Sequence, residues 1–145
     1  MSVNKVVSVS AEMGKDFRIH AQLGNHLAFI DQPEAAGGTD KGPNPLQLFL
    51  FSLAGCIASI GRIAANQKKI ELRGMKVNVE AGMNAAGLMG KPTEDRVGFQ
   101  SFKVNAEIDA DMTTEEKQAF LDEVCARCPV HDNIGKATVV EHIAQ

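Results

Sequence analysis

Apolar and polar residues alternate along most of the first thirty positions, as strands that bury one face require. Val7, Val9 and Ala11, then Phe17, Ile19, Ala21 and Leu23, then Leu27 and Phe29 are read as one apolar face. Gly14-Lys15-Asp16 and Gly24-Asn25 break the pattern as hairpin turns do. Three antiparallel strands are therefore expected at the start, followed by a loop over residues 32–42, which are rich in Gly, Pro and charge. Asn44 can then accept from free backbone N–H groups, and Pro45 suits the first position of a helix running to about Gln67.

That helix carries no charge over residues 45–61 and is apolar nearly all round. Such a surface must be enclosed on every side. A chain of 145 residues supplies little of that cover. The inference is a homodimer that buries the helix between the sheets of two subunits. Period-two alternation returns at Met75, Val77, Val79 and Ala81, and a partner strand is expected over about 97–109, forming a long hairpin. Thr113 and Glu116 have capping-box spacing. In the helix they open, Phe120, Leu121, Val124, Cys125 and Cys128 share a face, with Pro129 ending it and a last strand after Gly135. The plan is α+β: antiparallel sheets with two long helices, in one domain spanning 1–145.

Charge narrows the function classes. The net charge of −3 comes from interleaved acids and bases without a Lys/Arg run, so a nucleic-acid partner is not expected. The N-terminus alternates instead of joining a basic stretch to an apolar block, and no export signal is read there. A membrane span over residues 45–61 is near the lower length limit, but Gln47, Ser52, Gly55, Ser59 and Gly61 interrupt it. A helix buried in a soluble core is the preferred reading. Three cysteines in a chain with enough apolar residues to fold unaided suit reduced thiols, and the cytoplasm is the expected compartment.

The cysteines carry the candidate chemistry. Cys125-Ala126-Arg127-Cys128 is a CxxC, but it falls at an expected helix C-terminus, where the dipole does not favour a thiolate. Cys125, Cys128 and His131 have partial zinc spacing without a fourth ligand nearby, so neither metal nor cofactor is expected. Cys125 reads best as a small core residue. Cys56, within the apolar helix, reads by composition alone as another small buried core residue.

A wider pattern surrounds both positions. Gly42-Pro43-Asn44-Pro45-Leu46-Gln47-Leu48-Phe49, continuing to Ala54-Gly55-Cys56, and the later Cys128-Pro129-Val130-His131 resemble the osmotically inducible protein C and organic hydroperoxide resistance family. The resemblance extends over nearly the whole chain, because the expected order of strands and helices matches as well. It implies an intertwined homodimer with the cysteine-bearing helices at its centre, in agreement with the burial argument. It also implies a Cys56 thiolate that attacks an organic hydroperoxide, Cys128 as the resolving thiol, and an external dithiol as reductant. The chain departs from the family where a Glu commonly follows the Asn-Pro and pairs with an Arg of the first hairpin turn, because Leu46 stands there. Lys15 and Arg18 are the candidate cations at that turn, and His131 is a candidate auxiliary base. Two other readings remain open: a dimer that binds a small hydrophobic molecule, favoured by Leu46, and a structural dimer with inert thiols.

Overall fold

The computed structural model describes residues 1–145 and divides into two compact units, residues 1–49 and 50–145. In the first, β1 (Ser10–Met13), β2 (Ile19–Leu23) and β3 (His26–Ile30) form an antiparallel meander. Gly24 and Asn25 make a two-residue hairpin loop in which only Gly24 has positive φ, at 62°, as a type II′ turn requires.

The even length of this loop decides which side chains share a face. It pairs Ile19 with Ile30 and Ala21 with Ala28, while His20 pairs with Phe29 and Gln22 with Leu27. Leu27 and Phe29 therefore lie on the face of His20 and Gln22, opposite the one the alternation suggested. A shift of one residue moves every side chain of a strand to the other face.

Buried Asp31 organises the loop after β3. Its carboxylate accepts from the Thr39 hydroxyl at 2.6 Å and from the backbone N–H of Gln32 at 2.7 Å and of Lys41 at 3.0 Å. The Asp31 N–H donates to the Pro43 carbonyl at 3.1 Å and closes the loop immediately before the helix begins. These bonds hold the Asp31 carboxyl down at about 2, the Thr39 hydroxyl contributing most.

Helix α1 (Pro45–Lys68) begins in the first unit and continues through the second. Asn44 caps it as expected, and Gln47 reciprocates. The Gln47 N–H donates to the Asn44 side-chain oxygen at 2.8 Å, and the Asn44 N–H to Gln47 Oε1 at 3.0 Å. By length and composition α1 is apolar enough to cross a membrane, and 28% of its most apolar stretch is buried.

Within the second unit, β4 (Gly74–Gly82) and β5 (Ser101–Asp109) pair antiparallel, with Met75 opposite Ile108, Val77 opposite Ala106 and Val79 opposite Val104. This face meets Leu53, Ile57, Gly61, Ala64 and Ala65 of α1, whose steps of three and four residues from Leu53 to Ala65 keep them on one helical face. Contact is close at Gly61, where a Cβ would lie 2.8 Å from Met75 Sδ. Helix α2 (Thr114–Ala126) opens with the expected capping box and adds Phe120 and Val124 to the core.

Two expectations fail here. The chain leaves α2 at Arg127 and starts a new helix, α3 (Pro129–Gly135). Proline disfavours helical geometry in the residue before it but suits the first helical turn, so Pro129 starts a helix as well as ending one. The last strand expected after Gly135 does not form, and Val139, Val140 and Ile143 are exposed. A strand exists through its ladder, and residues 136–145 pair with none.

Candidate active site

Cys128 caps α3 from an extended conformation, φ −84° and ψ 114°, that the following proline favours. Its sulfur accepts from the His131 N–H at 3.4 Å, in the way a serine oxygen accepts at the start of a helix. The side chain is 1% exposed and belongs to the core cluster built on Leu53, Ile57, Phe120 and Val124.

Cys56 reaches the same place from α1. It immediately precedes the fully buried Ile57, is itself half-buried, and packs against that cluster. The two thiols interact within this cluster, although 72 residues separate them in sequence. Burial pushes the Cys128 thiol up, and its hydrogen bond with Cys56 pushes it further. The N–H groups of His131 and Val130 oppose this by favouring the thiolate. Burial and the interaction with Cys56 dominate, so the Cys128 thiol lies above its ordinary value.

The other candidates take different positions. His131 serves Cys128 through its backbone N–H, while its side chain is exposed. Cys125 is half-buried on α2, and burial followed by the charge of Asp122 pushes its thiol up. Lys15 and Arg18 lie in the first unit, in the exposed turn between β1 and β2. Arg18 is already engaged: its Nε donates to Asp16 Oδ2 at 3.0 Å, and its NH2 group lies 2.9 Å from the same oxygen. Its backbone N–H donates to Asp16 Oδ1 at 3.0 Å. Asp16 thus gives the arginine the carboxylate partner that Leu46 cannot. Sequence reasoning missed it because the acid lies beside the cation and not at the helix start; an acid two residues before an arginine in a tight turn was the available signal.

Known proteins share this architecture. The family of OsmC-like protein matches residues 38–143. A hydroperoxide reductase of Mycoplasma genitalium is 27% identical over 133 residues, covering 91% of this chain and 89% of the relative. A second hydroperoxide reductase, from Mycoplasma pneumoniae, is 28% identical over 96 residues, covering 66% of this chain and 64% of its own length. Among solved structures, an OsmC-like protein of Mycoplasma pneumoniae superposes with a TM-score of 0.79 at 24% identity, covering 92% of this chain and 89% of that one. An organic hydroperoxide resistance protein from Legionella pneumophila gives a TM-score of 0.68 at 24% identity, covering 92% and 91%. With the family match spanning more than half of its length, and with its α+β order of antiparallel sheets and helices shared by these structures, the chain belongs to the OsmC-like protein family.

Proposed function

We propose that this chain is a cytoplasmic homodimer that reduces organic hydroperoxides, with Cys56 as the attacking thiolate and Cys128 as the resolving thiol. The observation that carries the reading is that these two thiols share one core cluster, Cys128 buried with its thiol pushed up by burial and by Cys56, and Cys56 less buried. The names of the two hydroperoxide reductases agree with it.

In the proposed reaction the Cys56 thiolate attacks the distal oxygen of R–O–OH. The O–O bond breaks, the alkoxide takes a proton and leaves as an alcohol, and Cys56 becomes a sulfenic acid. Cys128 then attacks that sulfur and expels water, forming the disulfide. An external dithiol returns both thiols to the reduced state. The chemistry also needs a cation to steady the thiolate and the leaving oxygen, and Lys15 and Arg18 are the candidates that the family resemblance offers.

The dimer reading rests on exposed apolar side chains: Phe51 is 70% exposed on α1, with Ile63 exposed on the same helix and Leu27 and Phe29 on β3. A second copy covering α1 accounts for its apolarity without a bilayer.

The test is stopped-flow consumption of an alkyl hydroperoxide by reduced protein, alongside Cys56→Ser and Cys128→Ser. Fast consumption that disappears in Cys56→Ser supports the proposal. A wild-type rate no better than that of a free thiol would sink it. That result would favour the second reading, a dimer that binds a small hydrophobic molecule, for which the apolar Leu46 at the start of α1 is the specific observation.

A further inference from the structure

The peroxide reaction proposed above uses two of three thiols and leaves Cys125 without a role. Cys125 is not remote from that chemistry. It packs against the same core cluster as Cys56, and Cys128 lies within the cluster. The Cys128 N–H donates to the Cys125 carbonyl at 3.2 Å, and the Arg127 N–H to the Val124 carbonyl at 3.1 Å. A turn closed in this way brings its first and fourth Cα atoms within about 7 Å. Disulfides span Cα separations of about 4.4–6.8 Å. Cys128 therefore has two possible disulfide partners: Cys56 across the core and Cys125 one turn back along the chain.

We infer that Cys125 is a relay thiol, which takes over the disulfide from Cys56 and frees Cys56 to meet a second hydroperoxide. The inference rests on the peroxidase reading given above. Hydroperoxide first converts Cys56 and Cys128 to a disulfide, with release of one alcohol and one water. Cys125 loses its proton, and its thiolate attacks Cys128 Sγ. The Cys125–Cys128 bond forms as the Cys56–Cys128 bond breaks, and the electron pair leaves on Cys56, which recovers the proton. Nothing is oxidised or reduced overall in this exchange.

Cys56 is the sulfur that the exchange should release. It is less buried than Cys128, so negative charge on the departing thiolate is better solvated there. Burial and Asp122 hold the Cys125 thiol protonated, which makes the exchange slower than the first oxidation. Freed Cys56 then reduces a second hydroperoxide and ends as a sulfenic acid, since Cys128 is already occupied.

The experiment counts hydroperoxide. Reduced, desalted protein is mixed with excess cumene hydroperoxide and no reductant, and the peroxide remaining is followed with time. Wild type is expected to consume one equivalent quickly and a second in a slower phase. Cys125→Ser and Cys128→Ser should each stop at one, and Cys56→Ser should consume none. Trypsin cleaves after Lys41, Arg62, Lys117, Arg127 and Lys136, which places the three cysteines in separate peptides. Under non-reducing conditions, wild type should yield residues 118–127 linked to residues 128–136. Wild type that stops at one equivalent, with residues 42–62 linked to 128–136 throughout, would overturn the relay and leave the peroxidase intact. No consumption by wild type would remove both.

Discussion

Closing the Cys56–Cys128 disulfide should stabilise the folded chain by an amount that its separation in sequence sets. The bond would tie a loop of 72 residues containing β4, β5 and α2. Constraining a loop of that length removes about 15 cal/mol/K from the unfolded chain, or roughly 4 kcal/mol at 25 °C. Native strain in the bond subtracts from this figure. Unfolding entropy of about 2 cal/mol/K per residue converts this into a rise in Tm of about 10–15 °C. The measurement is best made on Cys125→Ser, where the bond stays between positions 56 and 128. Reduced protein and protein treated with one equivalent of cumene hydroperoxide are melted at equal concentration, because the proposed dimer would have a concentration-dependent midpoint. Dithiothreitol should reverse the rise, and Cys56→Ser and Cys128→Ser should show none. A rise below about 3 °C, or an equal rise in Cys56→Ser, would refute the assignment of the bond. Where the relay operates, oxidised wild type carries instead a loop of about three residues, worth only roughly 2 kcal/mol, and its rise is smaller.

Three further outcomes follow from the fold. Ile57→Ala removes a fully buried side chain between α1 and the sheet, and should cost about 2–5 kcal/mol in urea unfolding; a loss under 1 kcal/mol would contradict its place in the core. Thr113→Ala deletes the side chain that accepts from the Glu116 N–H, and should cost about 1 kcal/mol with an unchanged m-value. The carboxyl of Asp31 is held below its ordinary value, so its stabilisation is complete above about pH 4 and is lost as pH falls toward 2. Denaturation midpoints measured from pH 6 to pH 2 should therefore fall less steeply for Asp31→Asn than for wild type, and parallel acid limbs would count against the Asp31 loop network.

The sequence by itself determined what local physics controls. Period-two alternation located β4 and β5 because their face is half-buried against a core, and the structure pairs Met75, Val77 and Val79 as that period demands. Capping chemistry at Asn44 and Thr113 marked two helix starts, since a helix N-terminus needs nearby acceptors wherever it lies. The stretch from Gly42 to Cys56 and the Cys128-Pro129 turn were specific enough to indicate the family, and with it which two thiols to compare.

Tertiary structure decided the rest. Pro129 reads locally either as the end of one helix or as the beginning of the next, and only the observed backbone showed that Cys128 caps α3 instead of extending α2. The face carrying Leu27 and Phe29 followed from the two-residue hairpin loop, a matter of register that apolar spacing within separate strands cannot supply. The strand expected after Gly135 shows the same dependence, because alternation supplies a face but not a neighbour to pair with. Above all, the meeting of Cys56 and Cys128 belongs to the packing of α1 against the α2–α3 junction. No local rule brings together residues 72 apart; burial of the apolar surface around them does.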